Sequence, residues 1–144
     1  MGLDMYLTRK KLFYPVTDGK MTFAVEGVDV PLDNVHSVAL VINIGSWRKA
    51  NAIHGWFVEH VQGGADDQRQ YHVEFEQLEE LLNLCRLVKD NPSLAPQMLP
   101  TQSGFFFGDT GYDDSYFHNL DRTIDLLEEA LKDRESSVYY DAWW

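Results

Sequence analysis

The sequence predicts an α+β fold, one domain over residues 1–144 with a mainly antiparallel sheet and about three helices. Three observations carry that expectation. At 144 residues, 44% apolar and 13% aromatic, the chain matches a single domain that buries roughly 70% of its unfolded surface. Its opening residues alternate with the period of a strand. Three later stretches repeat apolar residues at helical spacing.

The elements follow in order. Leu3, Met5 and Leu7 alternate with Asp4, Tyr6 and Thr8, as in a half-buried strand. The apolar runs LFYPV and MTFAVE flank Asp18-Gly19 and predict a hairpin there, with Pro15 at the strand end. VDVPLDN reads as a loop by its proline and Asx content. HSVALVINIG is β-branched and nearly unbroken, which predicts a central strand buried on both faces and ended by Gly45. Ser46 is then the expected N-cap of a first helix, SWRKANAIHGWFVEHVQ.

A polar loop, GGADDQRQ, leads to YHVEF, a short strand. The second helix is EQLEELLNLCRLVKD, closed by Asn91-Pro92 because the residue before proline resists helical geometry. Cys85 stands in register with Leu78, Leu81 and Leu82 and reads as a small core residue. PSLAPQMLPTQSG is loop, and GFFFG is a short buried strand or an aromatic plug. The third helix runs from Asp113 to Asp133 on a stripe of Phe117, Leu120, Ile124, Leu127 and Leu131. SVYYDAWW is the last strand.

Composition excludes several function classes. A lone cysteine allows neither an internal disulfide framework nor a cysteine-rich zinc site. The net charge of −11 is uneven: residues 1–50 hold five acids against six bases, and residues 51–144 hold eighteen against six. That polarity opposes binding to a nucleic-acid backbone, which needs a basic face. No apolar run approaches the roughly 20 residues of a membrane span. MGLDMYLTRKK lacks the order of a secretory leader and, with Tyr6, fails the myristoylation pattern, so the expected location is cytoplasmic.

Named catalytic motifs fail as well. HGWFVEH places His54 and His60 on different helical faces, unlike a zinc-binding H-E-x-x-H. TQSGF is not G-x-S-x-G, DTGYDD lacks calcium-loop spacing, and Gly63-Gly64 precede acids rather than a phosphate-cradling lysine. No metal and no cofactor are expected.

At about 100° per residue, one arc of the first helix collects Trp47, Ala50, Ile53, His54, Phe57, Val58 and Val61. The opposite arc holds Arg48, Lys49, Ala52, Trp56, Glu59 and His60, and Asn51 borders the apolar arc. His54 thus reads first as a core histidine held by a buried hydrogen bond. The functional alternative is a ligand pocket of Trp47, Arg48, Asn51 and His54, completed by Gln102 and Ser103 beside Phe105–Phe107. Trp56, on the polar arc, is either covered by another segment or an anchor for a protein partner. On the third helix Asp114, Asp121, Asp125 and Glu128 form an acidic row, interrupted by Lys132. Such a row is commonly a solvated face; the sharper reading is a face that docks on a basic groove.

The blocks GLDMYL, WRKANAIHGWFVEHVQ, LPTQSGFFFG, YDDSYF and YYDAWW resemble a family of small uncharacterised proteins carried by bacteriophages and prophages. The similarity spans nearly the whole chain and departs from the family at Ser46 and Gly55. It implies a phage product acting in the cytoplasm of a bacterial host, and it assigns no residue a role. Combined with the acidic surface, it suggests an interaction protein that modulates or inhibits a basic-surfaced host protein, such as a CRISPR or restriction complex. The alternative is a small-molecule or nucleotide-binding protein, or an enzyme, built around His54.

Overall fold

The computed structural model describes residues 2–16 and 19–144. The opening alternation becomes β1 (Asp4–Phe13), whose Met5 and Leu7 are buried. β1 lies inside a four-stranded antiparallel sheet, between β4 (Val38–Arg48) and β6 (Ser137–Trp143). β5 (Tyr71–Val73) pairs with the far side of β6. Opposing pairs Met5–Ala142 and Leu7–Tyr140 put four buried side chains on one sheet face, as the two-residue period of a strand requires.

That face shares one core with three helices: α1 (Asn51–His60), α2 (Phe75–Asp90) and α4 (Asp114–Ala130). Phe57 of α1 stacks on Tyr140 at 3.8 Å between centroids. Between α2 and α4 the predicted loop contains a 3-10 turn, Pro92–Leu94, and one helical turn, α3 (Ala95–Met98). Glu74 and Gln77 form a reciprocal capping box at the start of α2, and Asp113 Oδ1 accepts from Tyr116 N at the start of α4. Arg9 of β1 donates to Glu129 O at 2.6 Å, setting a cation at the C-terminal end of α4. The fold is α+β, and no helix among the described residues is long and apolar enough to cross a membrane.

Several local expectations are corrected. The run after Gly19 does not pair with β1: β2 (Met21–Val25) pairs with β3 (Val28–Leu32), so VDVPL is a strand and the hairpin turn lies at Glu26-Gly27. Asp18 itself lies outside the described residues. HSVALVINIG is neither central nor buried. β4 is an edge strand, and Ala39 through Asn43 are exposed. A β-branched run reads alike whether both faces are covered or both are open, and no helix spans this half of the strand.

Gly45 does not end β4, which continues to Arg48 with Ile44 bulged out between the Leu7–Gly45 and Thr8–Asn43 pairs. A Cβ on Gly45 would overlap Leu126 Cδ2, so this glycine is where α4 closes onto the strand backbone. Ser46 and Trp47 are therefore strand residues, and Ala50, not Ser46, is the N-cap position of α1. In α4 the core stripe is rotated toward Tyr116, Leu120, Thr123, Leu127 and Ala130. Phe117, Ile124 and Leu131 sit at its half-buried margin.

Candidate functional site

The side chains singled out in the first helix separate once the strand takes Ser46 to Arg48. Trp47 is buried and donates from Nε1 to Thr123 Oγ1 at 2.9 Å, a tie between β4 and α4. Arg48 is exposed at the end of β4, with Asp4 at 3.7 Å. Asn51 is buried at the start of α1 and spends its whole amide: Nδ2 donates to Phe107 O and Asp109 O, both at 2.9 Å, and Oδ1 accepts from Gln102 N at 2.9 Å. It is a latch for the 102–109 segment. Gln102 lies over Gly55, where a Cβ would stand 2.6 Å from its Cγ. Ser103 is exposed and lines neither hollow described below.

His54 is 1% exposed, as its place in the apolar arc predicts. It carries two hydrogen bonds rather than one, the first buried and the second half-buried at an exposed carboxylate. Nδ1 lies 2.6 Å from Tyr140 Oη and Nε2 lies 3.0 Å from Asp66 Oδ1. A carboxylate only accepts, so Nε2–H donates to Asp66 and Nδ1 accepts from the Tyr140 hydroxyl. Burial lowers the His54 pKa from 6.5 against the opposing pull of Asp66, and burial raises that of Tyr140 well above 10.0. A neutral imidazole and a protonated phenol result. Phe107 meets the His54 ring edge-on at 5.3 Å and Trp144 lies at 5.5 Å, completing an aromatic surround with Tyr140.

Above this relay is a groove of about 250 Å³ lined by His54, Gly55, Val58, Glu59, Gly64, Asp66, Gln102 and Phe107. Two carboxylates and an amide face it, so it suits a cationic or hydrogen-bond-donating small molecule. Of the predicted pocket residues only His54 and Gln102 line it. Arg48 and Asn51 line a separate hollow of about 120 Å³ at the start of α1, and Trp47 lines neither. Asp66 had no local signal. It reaches His54 because Gly63 and Gly64, at φ 62° and 84°, reverse the chain beyond α1. Tyr140 was legible in the alternation of SVYYDAWW, which places 138, 140 and 142 on one face.

Trp56 does not face water. It is 5% exposed, stacked on His60 at 4.7 Å and set edge-on to Phe57, so it cannot anchor a partner in this conformation. GFFFG is a turn rather than a strand: Phe105 is 95% exposed, whereas Phe107 packs against His54. The acidic row remains on the surface of α4, partly neutralised by α2. Asp121 pairs with Lys89, and Glu128 pairs with Arg86 at 2.5 Å. Asp114 and Asp125 are exposed and, among the described residues, have no ion-pair partner.

Among the described residues no group of three or more His, Cys, Asp or Glu side chains is placed to hold a metal ion. Compared with known proteins, the chain matches no family model, no curated protein and no solved structure.

Proposed function

We propose that this is an interaction protein that docks its acidic helical layer on a basic surface of a bacterial protein and thereby modulates it. The observation that carries the reading is the acid that survives internal pairing. Arg86 and Lys89 neutralise Glu128 and Asp121, but Asp114 and Asp125 stay exposed on α4, and residues 51–144 retain a net −12. An uncompensated acidic face steers encounter with a basic surface and sets partner choice. The resemblance to phage-borne proteins supplies the setting: a host protein, with a defence complex of the restriction or CRISPR kind as the preferred target. The test is affinity capture from bacterial lysate with wild type and the double variant Asp114→Lys/Asp125→Lys. The expected result is a stoichiometric partner that is lost at high salt and lost in the variant. Equal capture by both proteins would remove α4 as the interface.

A second reading rests on the His54–Asp66 groove, whose two carboxylates and Gln102 amide converge on one space. It makes the protein a binder of a small cation. The folded variant Asp66→Asn would then lose that ligand, measured by calorimetry, while keeping the protein partner.

A further inference from the structure

The groove over His54 carries more information than the sign of its charge, because its free atoms select among cations. No lysine or arginine lines it. The two side chains on its wall that can donate are engaged: His54 Nε2–H goes to Asp66 Oδ1, and Gln102 Nε2 donates to Pro100 O at 3.4 Å. Three acceptors remain. Among the described residues Asp66 Oδ2, the Glu59 carboxylate and Gln102 Oε1 have no hydrogen-bond or ion-pair partner. His54 is neutral, so it holds one oxygen of Asp66 without cancelling the charge.

The rest of the wall is helix backbone and apolar side chain. Gly55 stands inside α1, where glycine is unfavourable, and a Cβ there would meet Gln102 Cγ at 2.6 Å. The glycine lets the Gln102 side chain lie close on the helix. Val58 and Phe107, both half-buried, give the groove an apolar side.

We infer that the groove takes a primary alkylammonium, its charged end on the three free acceptors and its alkyl stem along Val58 and Phe107. The inference rests on the cation-binding reading of this groove and narrows it. A primary ammonium carries three donors and no acceptor, which matches a wall whose free side-chain atoms accept. Each rival cation uses less of that wall. A quaternary ammonium has no proton to donate and is held by an aromatic cage, whereas Phe107 is the one phenyl or indole ring lining the groove. A guanidinium is matched by both oxygens of a carboxylate, and His54 already holds one oxygen of Asp66. A metal ion would find two carboxylates, and among the described residues no group of three or more His, Cys, Asp or Glu side chains is placed to hold one. A free amine and a lysine side chain present the same ammonium to the groove.

The test is calorimetric titration of the full chain, at constant ionic strength, with n-butylammonium, tetramethylammonium and methylguanidinium chlorides. The expected result is saturable one-to-one binding of n-butylammonium, with the other two weaker by about tenfold or more. Asp66→Asn keeps an oxygen for His54 Nε2–H, so the fold is retained, as circular dichroism checks; the variant should weaken n-butylammonium binding by about tenfold. Glu59→Gln, at an exposed residue, should weaken it in the same direction. Nα-acetyl-lysine methylamide separates the two sources: binding as tight as that of n-butylammonium assigns the groove to a protein lysine, and weaker binding assigns it to a free amine. Tetramethylammonium or methylguanidinium binding as tightly as n-butylammonium overturns the inference and leaves the cation-binding reading standing. Binding of n-butylammonium that is unchanged in both variants overturns it as well. If none of the three cations binds, the inference and the reading beneath it fall together.

Discussion

His54 has both ring nitrogens in hydrogen bonds and three aromatic rings around it, and this arrangement governs what it can contribute. Its depressed pKa makes stability depend on pH in a definite direction. The unfolded chain binds a proton near 6.5 and the folded chain only at lower pH, so stability is full above 6.5 and falls as pH drops toward the folded value. Melting temperatures recorded from pH 8 to 5 should fall more steeply in wild type than in a folded His54→Gln variant. Asn51 has a different task. Asn51→Ala removes three hydrogen bonds and strands Gln102 N without a partner. The cost expected is roughly 2–3 kcal/mol, read by urea unfolding, with hydrogen exchange rising first at 102–109. The burial of His54 and Asn51 follows from helical period, which is local. Their partners are not local: Asp66 arrives through a glycine reversal and Phe107 through a proline-flanked loop. Period says which way a side chain points and is silent on what meets it.

Among the elements, α2 and α4 were legible, whereas the start of α1, the turn of α3 and the β4 edge were not. α2 and α4 declare themselves through apolar repeats, a capping box and an Asx cap, all encoded within one turn. The stripe of α4 was displaced by one position because Tyr116 and Thr123 carry polar atoms yet face inward. Tyr116 Oη donates to Leu99 O at 2.8 Å and Thr123 Oγ1 donates to Asn119 O at 2.6 Å, which satisfies both. β4 was misplaced because its apolar run has no period to read. Its position depends on Gly45, where α4 meets the strand backbone. Gly45→Ala should force Leu126 out of its buried site and destabilise the fold by about 1–3 kcal/mol in chemical denaturation. A neutral outcome there would mean that α4 is not seated against the strand as described.

Over the whole molecule, exposed apolar side chains and acid are unevenly spread. Most of the exposed large apolar side chains lie between Leu12 and Ile42, and eighteen of the twenty-three acids lie in residues 51–144. This unevenness was half legible, since the charge asymmetry stands in the sequence and the opening of β4 does not. It sets the acid of α4, proposed here as the surface for a basic partner, apart from the uncharged outer edge of β4. The chemistry of His54 enters neither. The central claim is that binding runs through the acid of α4, and the most direct measurement is the affinity for the captured partner across a salt series. It should be made for wild type, Asp114→Lys/Asp125→Lys and a folded His54→Gln variant side by side. The account predicts that wild type and His54→Gln bind alike and weaken together as salt rises, while the charge-reversed protein fails to bind at any salt. Binding that survives charge reversal, or that is lost with His54 alone, would contradict it.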